Sequence, residues 1–178
     1  MAEIDVDKID RINRYHDTEV NPSNQDNRPI SFYDESLSLC SGIESIDQLL
    51  ATTNPQENEL KWIDYCCGRG VAVKEGTRRF NSGERILSSI GVDIRKFRQS
   101  NYSSVPEFIT GKTTFYQHDL DQGTIDAASP DLITCIGGLI YIKDPALGLQ
   151  GMFRQLKAGG HLLVSLDTDF EVNYLQMK

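Results

Sequence analysis

The residues able to do chemistry fall at four places: Asp64 with Cys66-Cys67-Gly68-Arg69-Gly70 behind it, Asp93, Asp119, and Cys135-Ile136-Gly137-Gly138. Each closes a short apolar run. A glycine-rich turn lets backbone approach a ligand with no Cβ in the way, and a helix opening after Gly70 offers free N–H groups. Asp93 stands roughly 20 residues beyond Gly70, where nucleotide-binding strand–helix–strand units carry a carboxylate that accepts from ribose hydroxyls. The set points to an adenosine-type cofactor. Two other nucleotide sites are disfavoured. The third glycine of a dinucleotide fingerprint is Val73 here, and no G-x-x-x-x-G-K-[ST] phosphate loop occurs.

For these residues to form one site, their strands must lie side by side. KWIDY (61–65) reads as a strand, followed by a helix to about Phe80 in which Gly76 is a weak point. ERILSSIGVDI (84–94) contains a second strand ending at Asp93, and a helix is expected over 94–103. TTFYQHD (113–119), PDLITCIGG (130–138) and HLLVSL (161–166) read as strands three to five. Asp144 and Pro145 start a helix as N-cap and first-turn residue; it is expected to reach about Lys157 and stop at Gly159-Gly160. Alternating strands and helices predict an α/β fold with a parallel sheet, and continuously apolar strands suit burial on both faces. Ligands then bind at the carboxyl ends of the strands.

The amino-terminal part differs. Residues 4–16 read as a short amphipathic helix, NPSNQDNRP (21–29) as a loop, and 34–52 as one helix with Ile43, Ile46, Leu49 and Leu50 on one face. Two parts are therefore expected: a helical lid segment over 1–58 and a ligand-binding core over 59–178.

Composition narrows the function. The 18 basic residues are scattered among 26 acidic ones, giving a net charge of −8, so there is no basic track for nucleic acid. No apolar run approaches the ~20 residues of a membrane span, and MAEIDVDKIDRINRYH has no apolar signal core, which predicts a cytoplasmic protein. Cys40, Cys66, Cys67 and Cys135 make no C-x-x-C pair and read as reduced thiols, not zinc ligands. No metal site is expected: Asp167 and Asp169 read as an exposed acidic loop.

WIDYCCGRG resembles the first motif of the class I S-adenosylmethionine-dependent methyltransferases, [VIL]-[LI]-[DE]-x-G-x-G-x-G. IGVDI and FYQHDLDQG resemble the family's second- and third-strand motifs. PDLITCIGGLIYIKDPALGLQGMFRQLKAGGHLLVSL resembles its fourth-strand, helix and fifth-strand block. The resemblance covers about residues 60–167. It implies a three-layer αβα Rossmann-like fold, a mainly parallel sheet of about five strands in the order 3-2-1-4-5, and an amino-terminal helical cap. It implies S-adenosylmethionine as cofactor. Asp64, Gly68 and Gly70 would line its methionine and ribose part. Asp93, with Ile94 beside it, would accept from the ribose hydroxyls. Asp119 would accept from the adenine amino group, and Leu120 would donate its N–H. Cys135 and Ile136 would offer backbone carbonyls near the cofactor's ammonium. Cys66 stands where the family has its first glycine, putting a side chain against the methionine moiety. Tyr141 falls where many members carry a residue facing the transferred methyl.

Methyl transfer needs a general base only for acceptors that must lose a proton. Tyr141 is the first candidate, and His16, in the segment that covers the site in many relatives, is the second. His118 and His161 read as structural. Tyr15, Phe32 and Tyr33 are candidate lid aromatics. The functional reading is a methyltransferase acting on a small molecule; the alternative is a non-catalytic scaffold of the same fold. The family's usual sheet has seven strands, the last two an antiparallel hairpin, which residues 167–178 cannot supply. HLLVSL would then be an apolar edge, covered by the carboxyl-terminal residues, by the amino-terminal segment, or by a second subunit.

Overall fold

The computed structural model describes residues 29–81, 83–94 and 112–165, and the backbone of 172–176. The elements are α1 (Ile30–Ser41), α2 (Ile46–Thr52), β1 (Glu59–Tyr65), α3 (Val71–Phe80), β2 (Ile86–Asp93), β3 (Thr113–Gln117), β4 (Leu132–Cys135), α4 (Pro145–Gln155), β5 (His161–Ser165) and β6 (Val172–Gln176). Single 3₁₀ turns occupy Leu120–Gln122 and Leu139–Tyr141. The helices expected over 4–16 and 94–103, the loop before Pro29, and Asp167 and Asp169 lie outside the described residues.

The strands form one sheet in the order β3-β2-β1-β4-β5-β6. β1 to β5 pair in parallel, and β6 runs antiparallel to β5. Side chains alternate between two apolar layers, as strand geometry requires. Leu60, Trp62, Leu132 and Leu163 face α1, α2 and α3, where Tyr33, Leu37, Leu49 and Ala72 meet them. Ile63, Ile133, Leu162 and Val164 face the opposite layer with Met152 of α4 and Leu156. Each buried Leu or Ile contributes about 1.5–3 kcal/mol relative to exposure. This double burial explains why β4 and β5, buried throughout, carry nearly unbroken apolar runs.

Gly76, a weak point by helix propensity, is explained by the close approach of β1. A Cβ there would lie 2.7 Å from Trp62 Cζ3 and 3.1 Å from Ile30 Cδ1. The glycine costs about 1 kcal/mol of propensity and makes room for a fully buried indole.

Two expectations are corrected. The single helix over 34–52 is two helices. Gly42 ends α1 in the left-handed conformation (φ 72°), and Ser45 caps α2 by accepting from Gln48 N–H at 3.1 Å. Asp34 then pins the pair: it accepts from Ile46 N–H at 2.8 Å and from Arg79 of α3 at 2.8 and 3.1 Å. The second correction concerns α4, which ends at Gln155, before Lys157. Leu156 turns extended to reach the core, and Gly159 (φ 79°) serves the turn into β5. The parallel sheet in the order 3-2-1-4-5 is present as expected, with one further strand beyond β5. HLLVSL is not its edge, because β6 covers β5 with a full antiparallel ladder from His161↔Gln176 to Ser165↔Val172. Of the three covers expected, the structure has the carboxyl-terminal residues.

Candidate functional site

The carboxyl ends of β1, β2 and β4 meet around the segment Cys66–Gly70. Residues 66, 68 and 70 all have left-handed backbone, with φ of 56°, 60° and 69°. Glycine bears this freely at positions 68 and 70; Cys66 does so against the usual preference of L-residues. Cys67 N–H donates to Val92 O at 3.0 Å and Gly70 N–H to Cys67 O at 2.9 Å, which closes the turn onto β2. Gly70 precedes α3 with no side-chain cap. It could carry no Cβ, which would lie 2.2 Å from Phe115 Cε1.

Asp93 is buried at the end of β2, and its Oδ2 accepts from Gly68 N–H at 2.9 Å. Ile94 follows, half-buried, with its carbonyl accepting from Gln117 Nε2 at 3.0 Å. Asp119, also buried, caps the 3₁₀ turn after β3 by accepting from Asp121 N–H at 3.1 Å; Leu120 is buried behind it.

Asp64 has a different setting. Its carboxylate is fully buried below the turn, on the α1–α3 face. Oδ2 accepts from the Tyr33 hydroxyl at 3.0 Å, and Oδ1 accepts from the Thr134 hydroxyl. Trp62 Nε1 donates to the same Thr134 oxygen at 2.9 Å. Tyr33 is thus a buried anchor of α1, not a surface aromatic.

At the end of β4, Cys135 and Ile136 are buried, and Gly137 N–H donates to Ser165 Oγ at 2.5 Å. Cys66 packs onto this corner: a Cβ on Gly138 would lie 2.7 Å from Cys66 Sγ and 3.0 Å from Cys135 Sγ. Contact with the Cys66 thiol, then complete burial, push the Cys135 thiol well above its usual range. Cys67 points the other way, its Sγ 2.9 Å from where a Gly91 Cβ would stand on β2. Tyr141 is half-buried in the 3₁₀ turn that follows β4.

His118 Nε2 bonds Gly123 O at 2.8 Å within its own loop. His161 is buried at the start of β5, where desolvation lowers its pKa. Both histidines stand in packing positions. His16 and Tyr15 lie outside the described residues.

Three features were not read from the sequence. Tyr33 reaches Asp64 from another layer. Lys74 is buried beside the turn, its ammonium 5.3 Å from the Phe115 ring, and desolvation lowers its pKa to about 8. A cavity of about 320 Å³ lies between the loop after β3 and the amino end of α4, lined by Asp119, Leu120, Thr124, Ile142, Lys143 and Asp144. The sequence signals near it are the Asp144-Pro145 helix start and the pair Asp119 and Leu120, read as adenine contacts. Among the described residues, no group of three or more His, Cys, Asp or Glu could hold a metal ion, and no helix is long and apolar enough to cross a membrane.

The donor set fits an adenosine cofactor with a positively charged end. The rim carries the buried carboxylates Asp93 and Asp119, and a backbone turn with little side chain lies beside Asp93 at the end of β1. Cys66 is packed down on Gly138. The methyltransferase-domain family matches residues 34–176. The chain therefore belongs to the class I S-adenosylmethionine-dependent methyltransferase family. The architecture recurs in the Escherichia coli protein YjhP (16% identity, 80% of this chain and 51% of that one, TM-score 0.56). It recurs in the plantazolicin methyltransferase BpumL, solved with a desmethylplantazolicin analogue and S-adenosylhomocysteine (14%, 89% and 52%, 0.54). It recurs also in the [4+2]-cyclase SpnF (16%, 67% and 43%, 0.52). At these identities the likeness is one of fold. The chain spans about half the length of these structures. No curated protein matches it.

Proposed function

We propose that the chain binds S-adenosylmethionine at the carboxyl ends of β1, β2 and β3 and supports methyl transfer to a small-molecule acceptor. The observation that carries this is the Gly68 N–H to Asp93 Oδ2 bond of 2.9 Å. It sets a buried carboxylate against the glycine turn at the end of β2, where a ribose diol would be met. When bound, the cofactor supplies an activated methyl on a sulfonium sulfur. The chain's own residues bind and orient. Asp93 and Ile94 hold the ribose end. Asp119 accepts from the adenine amino group, and Leu120 donates its N–H. Gly68 and Gly70 leave room for the methionine portion, and the Cys135 and Ile136 carbonyls accept from its ammonium. Holding the two reactants in line is the strongest rate effect open to such a site. Asp64 acts one layer below, holding the end of β1 to α1 and β4.

Tyr141 stands on the β4 side of the same edge and is proposed as the residue nearest the acceptor, with residues 1–58 as the lid. A Tyr141→Phe variant with full turnover would remove it as a base. The four free thiols suit the reducing cytoplasm proposed for the protein. Calorimetric titration with S-adenosylhomocysteine tests the reading. Saturable binding at micromolar to low-millimolar concentration is expected; no heat at millimolar concentration overturns it and favours a scaffold of the same fold.

A further inference from the structure

The adjacent cysteines at the site are not equivalent. Cys67 Sγ turns toward β2 and is buried. Cys66, held in the left-handed conformation, turns toward β4, where its sulfur and that of Cys135 both lie within 3.0 Å of the point a Gly138 Cβ would occupy. A glycine at 138 is what allows two sulfurs to share that corner. Cys66 is half-buried and Cys135 fully buried, so an oxidant meets Cys66 first.

We propose that Cys66 and Cys135 form a dithiol oxidation site for hydroperoxides, and that its disulfide form closes the candidate cofactor site. In the first step the Cys66 sulfur attacks a peroxide oxygen. The O–O bond breaks, an alcohol or water leaves, and Cys66 becomes a sulfenic acid. In the second step the Cys135 sulfur attacks the Cys66 sulfur. The S–S bond forms, the S–O bond breaks, and hydroxide leaves with the Cys135 proton as water. Two thiols lose two electrons and the hydroperoxide gains them. Contact with Cys66 and burial push the Cys135 thiol well above its usual range, so it is disfavoured as the first nucleophile.

The bond brings the sulfurs to about 2.05 Å, which pulls Cys66, where the glycine turn begins, against Gly137 and Gly138. The effect on the cofactor rests on the function proposed above; the thiol chemistry does not.

The test treats the full chain with hydrogen peroxide, blocks free thiols and maps peptides without reduction. Each form is then titrated with S-adenosylhomocysteine. The expected result is a Cys66–Cys135 disulfide, at least tenfold weaker binding, and recovery after dithiothreitol. Cys135→Ala should lose this response relative to its own reduced form, while Cys40→Ala and Cys67→Ala keep it. Free thiols after oxidation, or pairing with a different cysteine, overturn the site. A Cys66–Cys135 disulfide with unaltered affinity overturns its control of binding. A reduced protein that binds nothing overturns the proposed function, and the peptide map still decides the thiol pair.

Discussion

Asp64 and Asp93 end neighbouring parallel strands, and both are buried, yet they are held in opposite ways. Asp64 is surrounded by side chains: Tyr33 from α1 and Thr134 from β4, with Trp62 behind Thr134. Asp93 meets the backbone of the turn through Gly68 N–H. The first arrangement joins three elements into one layer. The second orients a turn and leaves a carboxylate at its lip. One residue type at equivalent strand ends therefore serves two purposes, and the partner decides which. Asp64, met by fixed hydroxyls, is part of the core; Asp93, met by a loop amide, is proposed to face what the loop binds.

That contrast can be broken most sharply at Asp64. Asp64→Ala leaves the Tyr33 and Thr134 hydroxyls without their acceptor and should cost about 3 kcal/mol or more of unfolding free energy. Urea denaturation measures it; a loss under about 1 kcal/mol would show that Asp64 is not the hub of that layer. Tyr33→Phe removes one hydrogen bond to a carboxylate and keeps the ring edge-to-face with Trp62, 6.3 Å between centroids. A cost of about 1.5 kcal/mol is expected by the same measurement.

The smallest effect concerns Lys74, on the Asp93 side. Its pKa falls from the ordinary 10.5 to about 8 through burial, so the unfolded chain binds the proton more tightly than the native one. The charge opposes folding below about pH 8, and that penalty lifts as pH rises toward 10.5. Wild type should gain stability relative to Lys74→Met between pH 8 and pH 10, read as converging urea midpoints. Midpoints that stay parallel would show that the ammonium is solvated.

Much of this was legible in the chain. The unbroken apolar runs of β4 and β5 marked central strands, because a sheet buried on both faces admits little else, while β3 (TTFYQ) is largely exposed and was marked by the turn and Asp119 that follow it. Less was legible where contacts cross layers. Tyr33 and Asp64 are 31 residues apart, and no local pattern couples them. The break at Gly42 had its signals, a glycine followed by the Ser45 cap, but the apolar period of Ile43, Ile46, Leu49 and Leu50 runs on past it. VNYLQ carries no strong strand pattern, and β6 forms because β5 presents an unpaired ladder beside it. The divergence of Cys66 and Cys67 follows from one positive φ, which the residue type argues against.

The central claim is that Asp93, not Asp64, faces the cofactor. Calorimetric titration of Asp93→Ala with S-adenosylhomocysteine, beside wild type, tests it most directly. The expected result is at least a tenfold loss of affinity, about 1.4 kcal/mol, in a variant that still unfolds cooperatively. An affinity equal to that of wild type would contradict it.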